Sequence, residues 1–343
     1  MAYGFVNHGP SRFGGNNDGH GTGGCRPRFQ KYTHAPGGFL SNGLGRHLLQ
    51  ARNLNAIPFG TTFQPSSIDP TTNRAYATAF LYPYQGYTTI TYYQYDSNSS
   101  YHSLQVTASR RMARGGQLSA AWTWSKAMDY ADAYNTLVST LVDRRVWNYG
   151  RAGFDRTHIL KLSYIYDLPR VSRLWPHPLA RRLFDRWQVS GISSFVSGAP
   201  LGVTYTQTGT TDVTGSPTDG ARVVLIADPR IPRGERTFDR NFNTAAFAPP
   251  RVGTIGNAAK DLIRGPGINN WDMSLFKTFA VHGERWKMQV RAETYNTFNH
   301  SQFSALDAAA QFNALGQQLN ARFGEFTAAR QPRRMQLALR LSW

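Results

Sequence analysis

The chain has 343 residues, 41% of them hydrophobic, 13% aromatic and only 17% charged, with 38 Lys and Arg against 20 Asp and Glu, a net charge of +18. Low charge, many aromatics, 32 Gly and 18 Pro argue against a coiled coil or helical bundle. No stretch approaches the roughly 20 apolar residues that a membrane-spanning helix needs.

In chain order, residues 1–36 are rich in Gly, Asn and His and lack helical or strand periodicity, which predicts a poorly ordered start. It shows no basic start, apolar core or small-residue cleavage site of an export signal. Gly19, Gly21 and Gly24 satisfy a GxGxxG spacing, but no apolar strand precedes them and no helical period follows, so a flexible segment is expected. Cys25, the one cysteine, excludes an internal disulfide.

From about residue 87 the chain changes to segments of roughly ten residues in which apolar and polar side chains alternate. Leu104, Val106 and Ala108 oppose Ser103, Gln105, Thr107 and Ser109, and Leu118, Ala120, Trp122 and Trp124 oppose Gln117, Ser119, Thr123 and Ser125. Leu160, Leu162, Tyr164 and Tyr166 oppose Lys161 and Ser163; Trp271, Met273, Leu275 and Phe279 oppose Asp272, Ser274 and Thr278. Between Arg285 and Tyr295 the apolar set is Trp286, Met288, Val290 and Ala292, while Arg285, Lys287, Gln289, Arg291 and Glu293 occupy the alternate positions. The last segment is the most regular, with Met335, Leu337, Leu339, Leu341 and Trp343 on one face and Gln336, Ala338, Arg340 and Ser342 on the other. A period of two places such sets on opposite sides of a strand. Lys277 interrupts its apolar row, and Ile165 and Phe276 fall on polar rows.

Residues 111–117 and 280–285 are short enough for hairpin turns, whereas the polar connections at roughly 127–155, 207–269 and 298–332 are far longer. Strands of this length, aromatics near their ends and turns alternating with long loops predict an antiparallel transmembrane β-barrel with long extracellular loops, not a soluble sandwich of short strands. The countable strands would close only a small barrel whose interior must be packed, while the alternate row carries long polar side chains. The chain therefore reads as the C-terminal part of a larger barrel over residues 37–343, with Arg285, Lys287, Gln289, Arg291, Glu293 and Arg340 facing its lumen.

At this point the chain resembles a known family. Arg264-Gly-Pro-Gly-Ile-Asn-Asn-Trp-Asp272 followed by Asn296-Thr-Phe-Asn-His300, with Gly45-Arg-His-Leu-Leu49, Arg52-Asn-Leu-Asn55, Tyr101-His-Ser-Leu-Gln105, Trp122-Thr-Trp-Ser-Lys126, Phe154-Asp-Arg-Thr-His158, Trp187-Gln-Val-Ser-Gly-Ile192, Ser197-Gly-Ala-Pro200 and Phe242-Asn-Thr-Ala-Ala-Phe247, is similar in content and order to the C-terminal barrel half of TonB-dependent outer-membrane receptors of the Oar-like type, which carry a carboxypeptidase-regulatory-like domain. The resemblance implies an outer-membrane location in a Gram-negative-type bacterium, contact with outer-membrane lipid and lipopolysaccharide, and uptake of a solute that it does not identify. The plug and the TonB-binding box of the family would precede residue 1, so the chain alone is expected not to transport, and TonB would act only through that region. The terminal Leu337, Leu339, Leu341 and Trp343 look like the signal read by the barrel-insertion machinery.

In the long loop after residue 127, Asp129, Tyr130, Asp132 and Tyr134 are candidates for an external ligand, and Arg144, Arg145 and Arg151 for lipopolysaccharide phosphates. The nine His form no HExxH or CxxC-type metal spacing, no GxSxG elbow occurs, and Glu284 and Glu293 are explained by pairing with Arg285 and Arg291. No enzyme activity, cofactor, metal or nucleic-acid partner is expected. The alternatives are a passive pore or small barrel, and a soluble basic β-sandwich that binds polyanions.

Overall fold

The computed structural model describes residues 28–33, 48–112, 116–132, 139, 141–209, 212–282 and 286–343. Its main sheet is built from β1 (Arg28–Thr33), β2 (Ser100–Arg111), β3 (Gln117–Asp129), β4 (His158–Asp167), β5 (Trp187–Val196), β6 (Ile268–His282), β7 (Trp286–Tyr295) and β8 (Arg334–Ser342). Each strand pairs antiparallel with its neighbour in chain order, giving an up-and-down meander, and the short strand Gly150–Arg151 adds to the far end of β3.

Register carries the alternation of single strands across the whole sheet. Tyr166, Val189, Leu275, Ala292 and Leu337 form one cross-strand row, and Ser190, Ser274, Glu293 and Gln336 form the adjacent row on the opposite face. A slip of one residue in any pair would put an apolar row on the polar face, so the pattern excludes every odd shift of register. Pairing of β1 with β2 is the exception, because it lies in a stretch with no strand alternation. The exposed backbone edge of β2 needs partners for its N–H and C=O groups, and backbone pairing does not require an alternating sequence.

The connections segregate by length. At one end of the sheet β2 passes to β3, where Met112 N–H donates to Gly116 O at 2.7 Å, β4 passes to β5 through residues 168–186, and β6 passes to β7. At the other lie the described residues of the connections before β2, between β3 and β4, between β5 and β6 and between β7 and β8. These long connections are polar by sequence but not loose. They interlock through a parallel pairing of Thr204–Gln207 with Ala309–Phe312 and share a core of Val203, Val223, Ala246, Ala258, Ile263 and Ala310 around Phe242, Phe247 and Phe323. The three rings meet edge-to-face at 5.1–5.7 Å, the arrangement that aromatic quadrupoles favour. Residues 55–60 join this cap through Ser216 Oγ, which donates to Ile57 O at 2.5 Å, and through Gly60 N–H, which donates to Thr214 O at 2.9 Å.

The sheet has no comparable core. Among the described residues almost every buried hydrophobic side chain belongs to the cap, whereas the apolar row of β8 stands bare, with Leu337 79% exposed. Among the described residues the other sheets are two-stranded only, unlike a soluble sandwich, in which two large sheets pack their inner faces together. The sheet also stays open, with β1 and β8 each paired on one side only. No helix among the described residues is long and apolar enough to cross a membrane.

Candidate functional site

The polar face of the sheet and the underside of the cap enclose the candidate site. A cleft of about 750 Å³ lies where β4 to β8 meet the cap, lined by Lys161, Asn270, Asp272, Gln302, Arg330 and Arg334 among others. A trough of about 460 Å³ lined by Ser163, Ser190, Asp272, Ser274 and Glu293 occupies the same polar face. Mixed charges, hydroxyls and amides make this a hydrated wall suited to weak, multiple hydrogen bonds with a polar solute. Among the described residues no group of His, Cys, Asp or Glu is arranged to hold a metal.

The strand ends that frame the cleft are pinned by side chains from several sequence motifs. Asp272 Oδ1 accepts from Asn296 N–H at 2.9 Å, and Asn296, at φ 51°, exchanges two hydrogen bonds of 3.0 Å with the backbone of His300. Asparagine tolerates the left-handed backbone here, which turns the chain sharply out of β7. Nearby, Asp155, Gly198 and Arg264 come together from three motifs far apart in sequence. The Arg264 guanidinium donates to Asp155 Oδ2 at 3.1 Å, Thr157 Oγ1 at 2.9 Å and Gly198 O at 3.0 Å, while Asp155 Oδ1 accepts from Ala127 N–H at 2.9 Å. Neither composition nor alternation gave a sign of this cluster; its residues lie within the motifs that carry the resemblance, which assigned them no contact, and they act as structural pins around the cleft.

The residues singled out by alternation divide by location. Gln289 and Arg340 are cross-strand partners, and Lys287, Arg291 and Glu293 share their face. Arg291 Nη1 lies 3.3 Å from Glu293 Oε1, and its guanidinium sits 5.4 Å from the Phe276 ring, which accounts for an aromatic on a polar row. Of this set Glu293 lines the trough, and Arg285 lies outside the described residues. Lys161, Asp272, Arg330 and Arg334, which line the cleft, were not singled out; Arg330 is in a connection where periodicity carries no signal.

The expected loop-ligand set does not form an exposed tip. Asp129 ends β3 and is 3% exposed, accepting from Lys260 Nζ, and Tyr130 is buried with its ring 5.0 Å from that of Tyr149. Asp132 is more open, lying 3.8 Å from Lys260 Nζ and accepting from Gly153 N–H at 2.8 Å; Tyr134 lies outside the described residues. The reason is Lys260, which reaches in from the 197–267 connection and draws the acidic pair inward. Arg151 is likewise engaged, 3.9 Å from Asp261. Within the cap, burial pushes the Asp219 carboxyl above the usual carboxylate range, opposed by the Ser139 hydroxyl and by Arg222.

Leu337, Leu339, Leu341 and Trp343 form the exposed row of the last strand, with the Trp343 ring stacked on Trp286 at 6.0 Å. No curated protein and no solved structure matches the chain. A family model described as an outer membrane beta barrel domain matches residues 42–336, which takes in the meander from β2 to β7, the start of β8 and nearly all of the cap. With its bare apolar face, its polar opposite face and its long connections gathered at one end, the chain belongs to the outer membrane beta barrel domain family.

Proposed function

We propose that the chain is the C-terminal wall of a TonB-dependent receptor barrel of the Oar-like type, serving solute uptake across the outer membrane. The observation that carries this reading is the open meander with a polar face beneath a packed cap. Strands of 9 to 15 residues in β2 to β8, unpaired at both sheet edges, call for further strands to close the cylinder. The width of such a barrel accommodates the long polar side chains of Arg291, Lys287 and Arg340. In this reading the cap and the Lys161–Asp272–Arg334 cleft receive the solute from outside, energy coupling comes from a plug and TonB contact beyond these strands, and no covalent catalyst is needed.

Uptake of a panel of labelled solutes by cells in which this chain is joined to a plug and TonB-contact region tests the reading, since the chain alone is expected not to transport. Uptake that collapses when a protonophore dissipates the proton gradient is the expected result. Uptake that persists without the gradient, together with steady ohmic conductance of the purified chain in planar bilayers, would instead establish a passive pore.

A further inference from the structure

The connection between β4 and β5, residues 168–186, is unlike the other two at its end of the sheet. It holds a short helix, Pro178–Phe184, with five arginines (Arg170, Arg173, Arg181, Arg182 and Arg186) and one acid, Asp185. Asp185 is already engaged, its carboxylate accepting from Ser172 N–H at 3.0 Å and Ser172 Oγ at 2.5 Å. The helix is fixed in position, because Lys277 Nζ donates to Arg182 O at 2.6 Å and Trp187 Nε1 donates to Leu183 O at 2.9 Å.

Those two anchors set the direction in which the segment lies. Trp187 and Lys277 are cross-strand partners in the same register row as Val290, and so belong to the apolar face of the sheet. The segment therefore folds back onto the rim of that face, which explains how a lysine is tolerated there: Lys277 is 2% exposed, covered by the helix and 4.8 Å from the Phe279 ring. Yet most of the segment's own apolar side chains stay largely open, although Trp175 stacks on His177 at 5.6 Å. Leu174 is 91% exposed, and Trp175, Leu179, Leu183 and Phe184 are all about half exposed or more.

We propose that residues 168–186 form a rim anchor that sits in the headgroup region of the inner leaflet, with Leu174, Trp175, Leu179 and Leu183 entering the acyl boundary and Arg181 and Arg182 binding anionic phospholipid phosphates. Short turns mark the periplasmic end of an outer-membrane barrel, so the leaflet at this rim is the periplasmic one; the proposal rests on the barrel reading in this respect. A segment that places exposed Trp and Leu side chains next to arginines belongs in the plane of the interface. Charge complementarity and continuity with the apolar row select a lipid surface as the occupant. Guanidinium groups take phosphate in bidentate fashion, and the segment carries no free acid to oppose them.

The full chain, with Cys25→Ser and Leu179→Cys labelled by an environment-sensitive fluorophore, is refolded into vesicles of phosphatidylcholine alone or mixed with phosphatidylglycerol. Leu339→Cys, on the apolar row of β8, serves as the reference position. The expected result is quenching at position 179 by nitroxide lipids labelled near the headgroup, protection from aqueous iodide, and a severalfold stronger effect in the anionic vesicles that Arg181→Gln with Arg182→Gln removes. A probe at 179 in water while the probe at 339 is in lipid overturns the anchor and leaves the barrel standing. Both probes in water overturn the barrel reading itself, and lipid contact at 179 that ignores vesicle charge overturns the phosphate assignment.

Discussion

Arg264 and Asp155, 109 residues apart, form an ion pair of 3.1 Å in which the carboxylate side chain is 1% exposed and the guanidinium 29%. The pair joins the end of β3, the entry to β4 and the turn before β6, because Asp155 also holds Ala127 N–H and Arg264 also holds Gly198 O. Removing one member of a buried pair leaves the other charge uncompensated, which costs about 3 to 5 kcal/mol when both are fully buried. With Arg264 partly open to solvent, about 2 kcal/mol is expected for Asp155→Ala. Denaturant unfolding of the refolded chain should show this loss. Arg264→Met should cost more, since it leaves the buried carboxylate with only the backbone donor of Ala127 and also removes the bonds to Thr157 and Gly198; equal losses for the two would mean that the pair does not act as described.

Gly198 is predicted to be intolerant of any side chain. A Cβ at this position would lie 1.8 Å from Gly265 O, a backbone atom held by the hydrogen bond from Gly265 N–H to Ala199 O at 2.8 Å. Relief requires separating the two connections, so Gly198→Ala should cost about 3 kcal/mol and open the cap to protease. Gly220→Ala, where nothing lies within 4 Å of the added carbon, is the control and should leave the digestion pattern unchanged.

Position along β8 decides the cost of a charge. Leu339→Arg places a guanidinium on the apolar row, where lipid contact predicts a loss of about 2 to 4 kcal/mol near the bilayer midplane. Ala338→Arg, one residue away on the polar face and directly opposite Arg291, should cost no more than about 1 kcal/mol, from like-charge repulsion. Heat-modifiable mobility of the chain refolded in vesicles measures both, and equal sensitivity at the two positions would contradict the assignment of faces.

Trp343 separates an insertion signal from simple lipid contact. If the terminal aromatic is read by the insertion machinery, Trp343→Ala should lower assembly in cells while spontaneous refolding into vesicles changes by no more than about twofold. A parallel decline in both would assign Trp343 to packing against Trp286 alone.

The cap should respond to pH through Asp219. Its folded-state carboxyl is raised, chiefly by burial, so the native cap holds the proton more tightly than the unfolded chain does. The stabilisation is complete below the ordinary aspartate range and is lost as pH rises through the raised value. Asp219→Asn should therefore flatten the pH dependence of cap proteolysis in the window just above the ordinary aspartate range. An unchanged slope would show that Asp219 titrates normally.

Alternation alone determined the strands β2 to β4 and β6 to β8 and the two faces of the sheet, because a period of two is a property of neighbours in the chain, whereas β5 entered only through the Trp187–Ile192 motif of the resemblance. It left register open to shifts of two residues, all of which keep Leu337, Ala292 and Leu275 on the same side. What it left out has one physical cause: contacts between distant segments carry no local period. Phe242, Phe247 and Phe323 are scattered through polar connections and form a core only when those connections fold together. Asp129 and Tyr130 read as a loop tip until Lys260, 131 residues away, draws the carboxylate inward. Lys277 reads as a defect in an apolar row until the helix at 178–184 covers it, and β1 gave no alternation by which its pairing with β2 could be read. The sequence by itself determined that this chain makes a two-faced sheet for the outer membrane; the tertiary structure decided where the polar cleft lies, which motif residues frame it and what closes over it.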